Sequence, residues 1–164
     1  MSRSVEQQLS VKIFDLPSLQ KQLNEWQQQG EKVVFTNGVF DLIHIGHITY
    51  LAKAAELGHK LVIGLNSDES VKRLKGPTRP VNNQHSRAML LAAFFYVDAI
   101  VIFGEDTPQQ LISTLLPDVL VKGADYQIEN IAGAKEVLAN GGEVKTITFV
   151  DGYSSTAIIN KIKG

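Results

Sequence analysis

Five short apolar runs, each followed by a turn and then by a stretch with apolar residues at helical spacing, set the rhythm of the chain: 32–36, 60–65, 99–103, 119–122 and 143–150. The first, Lys32-Val33-Val34-Phe35-Thr36, is short and β-branched, as a buried strand should be. Between the runs the spacing predicts helices. One is capped by Asp15 and carries Leu16, Leu19, Leu23 and Trp26 on one face before Gly30. Another opens at Gly46 with Ile48, Leu51, Ala52 and Ala55 and ends at Gly58. Further helices are predicted over 86–95, from a Thr107 cap with Pro108 in the first turn to Leu116, over 131–140, and after Ser154-Ser155-Thr156 with Ile158, Ile159 and Ile162 inward. The first ten residues are expected to fray, with Val11, Ile13 and Phe14 holding a short segment against the body. With no repeat and no linker, the alternation predicts a single α/β domain over 1–164. Its fold would be doubly wound and Rossmann-like, a five-stranded parallel sheet flanked by helices.

Composition narrows the function more than the fold. A net charge of -1 and 20% charged residues give no general attraction to nucleic acid or anionic membrane, so any phosphate binding must be local. The cations cluster without interleaved aromatic residues, which also disfavours nucleic acid. The absence of cysteine removes disulfides and thiolate metal sites, and no His, Asp or Glu pattern singles out a resident metal. No run reaches the ~18 apolar residues of a membrane span, and the first eight residues lack the apolar core of a secretory signal, so the cytoplasm is expected.

Candidate chemistry concentrates after the first strand, in Thr36-Asn37-Gly38-Val39-Phe40-Asp41-Leu42-Ile43-His44-Ile45-Gly46-His47. Asn37-Gly38 breaks the strand and Gly46 opens a helix, whose N-terminus carries free N–H groups and partial positive charge suited to phosphate. A histidine at a helix start is more often a cap than a catalyst. Two of them flanking a glycine after a buried strand could each donate to a phosphoryl oxygen as its charge grows. The second strand ends at Asn66-Ser67-Asp68, and the segment from Ser70 to Pro80 follows with four cations, Lys72, Arg73, Lys75 and Arg79, a glycine and two prolines. It reads as a basic loop at a carboxyl edge of the sheet, where doubly wound folds bind ligands. Arg87 at the start of the next helix reads as a surface ion pair or a ligand contact. Lys122-Gly123 stands at another carboxyl edge, and Ser154-Ser155-Thr156 offers hydroxyl donors at a further helix start, where simple N-capping is the commoner role.

The tetrapeptide His44-Ile45-Gly46-His47 resembles the HxGH signature of the nucleotidyltransferase superfamily that includes cytidylyltransferases, pantetheine-phosphate adenylyltransferase and class I aminoacyl-tRNA synthetases. Asn66-Ser67-Asp68, Arg73-Leu74-Lys75-Gly76, Leu116 to Tyr126 and Asp151 to Thr156 extend the likeness over nearly the whole chain. Together these segments resemble the D-glycero-β-D-manno-heptose 1-phosphate adenylyltransferase domain of bacterial heptose kinase/adenylyltransferase proteins. The kinase half is not in this sequence, which suggests a separate supplier of the sugar phosphate.

The resemblance implies transfer of AMP from ATP to the anomeric phosphate, with Mg²⁺, giving ADP-heptose and pyrophosphate for lipopolysaccharide or other surface glycans. It implies His44, His47, Lys72 and Lys75 as catalytic residues, and Asn66, Asp68 and Arg79 as contacts to the sugar phosphate. Nucleotide contacts are expected from Thr36, Asn37, Gly38, Val39, Phe40, Gly46, Arg87, Lys122, Gly123, Asp125, Ser154, Ser155 and Thr156. ATP and a sugar 1-phosphate are the expected partners, and a homodimer is compatible with the sequence. The sequence departs from related cytidylyltransferases in two respects: Val39 stands where a threonine is common, and Asp151 and Lys161 stand where an arginine is found, before the Ser-Thr turn or near the C-terminus. A glycerol 3-phosphate cytidylyltransferase using CTP is the alternative, since its catalytic core would look the same.

Overall fold

The structure, a computed structural model, describes residues 2–164. Its sheet has six parallel strands in the order β1-β4-β3-β2-β5-β6. They are β1 (Ile13–Phe14), β2 (Val33–Gly38), β3 (Lys60–Asn66), β4 (Ala99–Phe103), β5 (Val119–Gly123) and β6 (Glu143–Ile147). The sequence predicts five strands; β1 is the addition. It pairs Ile13 with Ile100 and Phe14 with Val101, an edge of two residues that is too short to register as a period. β6 also ends earlier than predicted, because residues 148–154 turn over the sheet edge.

Helices cover both faces. Along β2, Val33 and Phe35 enter one core with Leu19 and Leu23 of α2 (Leu16–Gln28) and Leu111, Ile112 and Leu115 of α6 (Gln109–Leu115). Val34 enters the other, with Tyr50, Leu51 and Ala54 of α3 (Ile45–Ala55) and Ala88, Leu91 and Ala92 of α5 (Gln84–Ala92). The two-residue alternation of strand side chains thus feeds two separate apolar layers. α7 (Ala134–Ala139) completes the first face, preceded by a short 3₁₀ turn, and α8 (Ser155–Lys163) closes the chain.

Three local predictions need correction. The N-terminal residues expected to fray contain α1 (Val5–Ser10), held by a Ser4 and Gln7 capping box. The basic stretch expected as a loop is helical through α4 (Asp68–Lys75). Ser67 caps it, Asp68 and Glu69 sit in its first turn and Lys72, Arg73 and Lys75 in its last, the charge order that the helix dipole favours. It was hidden because Val71 is its one buried large apolar residue. Pro108 is the N-cap of α6, one position later than the predicted Thr107.

β2 lies between β3, its successor, and β5, which enters from the opposite side. The carboxyl ends of β2 and β5 therefore flank the topological switch point, where such sheets open a crevice. Gly64, paired with Asn37, lets the layers close here: a Cβ on it would lie 2.8 Å from the Phe35 ring and 3.1 Å from Leu111. Gly64→Ala should lower unfolding stability by about 1–3 kcal/mol, the usual range for overpacking, measured as a shifted urea midpoint with unchanged slope.

Candidate active site

A cleft of about 510 Å³ opens at that switch point. Its walls come from the β2 end (Asn37 to Asp41), the start of α3, the β5 end with Asp125 and Tyr126, the β6–α8 connection, Lys75 at the end of α4 and Arg79 beyond it.

His44 is the N-cap of α3, and its Nδ1 accepts from the Gly46 N–H at 3.1 Å. The Nδ1 of His47 accepts from the His44 N–H at 3.3 Å. Both rings are thereby held with Nδ1 unprotonated, so each neutral imidazole carries its hydrogen on Nε2. The rings stack at 3.8 Å between centroids. Burial, with a smaller repulsion from His44, lowers the His47 pKa to about 4, and burial lowers that of His44. At neutral pH the pair is two uncharged N–H donors at the positive end of a helix.

Gly46, between them and expected as a nucleotide contact, faces the His44 ring: a Cβ on it would lie 2.9 Å from that ring. Gly46 is buried behind the imidazole. Thr36 is also buried, donating to the Val121 carbonyl and receiving the Tyr50 hydroxyl at 2.9 Å. Burial pushes the Tyr50 pKa up to about 12. Phe40 adopts a left-handed φ of 48°, uncommon for a bulky residue, and its ring covers Gly38 and meets the His47 ring at 5.2 Å. Asn37, Gly38 and Val39 line the cleft.

The basic segment divides. Lys75 and Arg79 line the cleft, while Lys72 pairs with Glu69 at 3.5 Å and Arg73 with Asp106 outside it. Arg79 donates to Asp41 at 2.8 Å and to Thr156 at 3.4 Å. Asp41 is buried in an otherwise apolar run. Burial alone would raise its pKa, but the N–H groups of Asn82 and Val81 together with Arg79 hold it below the usual range.

Arg87, expected as a surface pair or nucleotide contact, is wholly buried outside the cleft. It donates to the carbonyls of Asn82, Val39 and Asn66 and to Asp68. Asn66 is itself buried and bonds to Ser70. Arg87, Asn66 and Asp68 thus stand behind the cleft wall and support it.

On the far wall, Lys122 extends over the Tyr126 ring at 5.0 Å, its pKa lowered by burial and partly restored by Asp125. Ser155 exchanges hydrogen bonds with the Leu42 backbone, and Ser154 caps α8. Gly123 lies beneath the Phe149 ring, which stacks on Tyr50 at 4.7 Å. Asp41, Tyr50, Tyr126, Phe149 and Tyr153 line the cleft without having been singled out from sequence. For Asp41 the signal was legible as a lone carboxylate within an apolar run beside the histidines.

Strand, tight loop and paired imidazoles at a helix start thus stand together in a cleft at the switch point of an α/β sheet. Residues 35–161 match the cytidylyltransferase-like family, and the chain belongs to it. The bifunctional protein HldE of Pectobacterium carotovorum subsp. carotovorum is 57% identical over 145 residues, covering 88% of this chain and 30% of that protein. That of Vibrio vulnificus is 60% identical over 138 residues, 84% of this chain and 29% of that protein. The chain thus spans under a third of the length of these relatives. Among solved structures, the lipopolysaccharide core biosynthesis protein from Thermoplasma volcanium superposes with a TM-score of 0.59 at 28% identity, over 76% of this chain and all of that one. A pantoate-beta-alanine ligase from Francisella tularensis shares the fold, with a TM-score of 0.58 at 14% identity over 92% of this chain and 76% of that one.

The lowered His47 pKa has a thermodynamic consequence. Between about 4 and 6.5 the unfolded chain binds a proton at this residue that the folded chain does not. Stability from His47 should be complete above about pH 6.5 and lost as pH falls towards 4. His47→Gln should remove this part of the slope, read from urea midpoints at pH 4.5 and 7.

Proposed function

We propose that the chain is a heptose 1-phosphate adenylyltransferase, moving AMP from ATP to the anomeric phosphate of D-glycero-β-D-manno-heptose 1-phosphate in the cytoplasm. The observation that carries the transferase chemistry is the pair of neutral imidazoles locked with Nε2–H free at the α3 N-terminus. The choice of sugar rests on the motif resemblance, on kinship with the HldE proteins and on likeness to a lipopolysaccharide core biosynthesis protein. The relatives' description as bifunctional suits a unit of this size that supplies one of two activities.

In this reading a phosphate oxygen of the sugar attacks the α-phosphorus of ATP. A new P–O bond forms, the bond to the β-phosphate breaks, and pyrophosphate leaves with the electron pair. The nucleophile is already anionic, so no general base is needed and catalysis depends on placement and charge stabilisation. His44 and His47 donate to the oxygens that gain charge, Lys75 and Arg79 neutralise phosphate, and Lys122, Gly123, Asp125 and the Ser154 to Thr156 turn surround the adenosine. Mg²⁺ enters with ATP, held mainly by phosphate oxygens and water. The described residues contain no group of three or more His, Asp or Glu placed to cage an ion. Nor is any described helix long and apolar enough to cross a membrane.

The deciding experiment supplies MgATP with heptose 1-phosphate and, separately, MgCTP with glycerol 3-phosphate, and identifies the nucleotide product. ADP-heptose in the first mixture is expected; turnover confined to the second would replace the substrate assignment. His44→Ala and His47→Ala should each lower kcat by about 10²–10³, as for loss of one preorganised donor, with a smaller change in ATP affinity.

The two lysines in the last turn of α4 separate in a further test. Lys75→Ala should raise KM for ATP or the sugar phosphate, whereas Lys72→Ala should leave steady-state kinetics unchanged. Equal effects would mean that the cleft closes around both lysines.

A further inference from the structure

We propose that Asn37 reads a hydroxyl group of the bound substrate through its carboxamide oxygen, and so sets specificity in the cleft. The inference rests on the sugar-phosphate and ATP reading above. Asn37 occurs at the carboxyl end of β2, the central strand of the switch point, and lines the cleft. It follows Phe35 on the sheet face opposite α3. Lys122 stands two residues beyond Leu120, the register partner of Phe35, and so beside Asn37.

The polar side chains around it have protein partners: Thr36 bonds to Tyr50 and Val121, Asn66 to Ser70, and Asp41 to Arg79. The Oδ1 of Asn37 is buried and accepts nothing, alone in this among the buried side-chain polar atoms of the described residues. An unpaired buried acceptor is destabilising, and its position in a ligand cleft assigns the absent donor to the ligand. Phosphate oxygens only accept, so the triphosphate and pyrophosphate cannot supply it. The remaining donors nearest the reacting phosphates are hydroxyls, on the acceptor sugar or on the ribose. The terminal torsion of asparagine is soft, so the carboxamide can turn its oxygen to such a group without moving the strand. In the proposed reaction Lys75 and Arg79 nearby serve anions; Asn37 provides an uncharged acceptor in the same cleft.

The test compares wild type with Asn37→Leu, which keeps volume but no hydrogen bonding, and with Asn37→Ser, which is too short to reach. Calorimetric Kd values are measured for ATP, 2′-deoxy-ATP and 3′-deoxy-ATP, and kcat/KM for heptose 1-phosphate and its monodeoxy analogues. Wild type should lose roughly tenfold on the one analogue that lacks the recognised hydroxyl, and both variants should treat that analogue and its parent within about twofold. Loss of discrimination among nucleotides assigns the ribose, and among sugars the acceptor. Asn37→Leu should melt no lower than wild type, since it removes the unpaired acceptor. Identical analogue ratios in wild type and variants would overturn the inference while leaving turnover, and hence the substrate reading, intact. Absence of both ATP binding and turnover in wild type would overturn both.

Discussion

A single buried guanidinium ties together the segments that form one wall of the cleft. Arg87 has no exposed surface and makes four hydrogen bonds of 2.7–2.9 Å to Asn82, Val39, Asn66 and Asp68. Burying a cation is unfavourable unless it is paired and fully hydrogen-bonded, so the four acceptors are obligatory once the residue is inside. The loop after β2, the end of β3, the start of α4 and the entry to α5 therefore assemble together. Asp41 repeats the arrangement with opposite charge, accepting from Arg79, Val81 and Asn82. Arg87 acts from behind the cleft wall, whereas Asp41 lines the cleft and holds the cleft cation Arg79.

In the proposed reaction the imidazoles would perform a task that cations would perform less selectively. A charged group stabilises a phosphate before and during transfer alike, whereas a fixed neutral donor gains most when charge on its acceptor grows. The backbone N–H groups that hold each Nδ1 prevent the rings from exchanging tautomers. The low pKa of His47 keeps that donor neutral over the whole physiological range.

The architecture was legible because the buried strands are dense in apolar residues and the helices between them are punctuated by Gly, Pro and caps. The cleft at the start of α3 was legible because strand, glycine turn and His44-Ile45-Gly46-His47 lie within one contiguous stretch. What escaped was decided by tertiary contacts. β1 exists through two pairings with β4, and α4 depends on caps and charge order with little apolar stripe. Arg87 looked superficial because its burial follows from acceptors 5, 19, 21 and 48 residues away. The aromatic wall formed by Tyr50, Phe149 and Tyr153 likewise draws on distant elements, which no local pattern links.

The two sides of the cleft rest on unlike foundations. The β2–α3 side is fastened by buried ions and packed glycines. The β6–α8 side presents half-exposed Phe149 and Tyr153 on a connecting segment and ends in a helix with no buried residue, attached through Ser155 and Thr156. Changes on the second side encounter little packing, while those on the first disturb buried ion pairs and packed glycines. If the proposed reaction holds, a different ligand could be accommodated by remodelling the aromatic side without disturbing the histidines on the other.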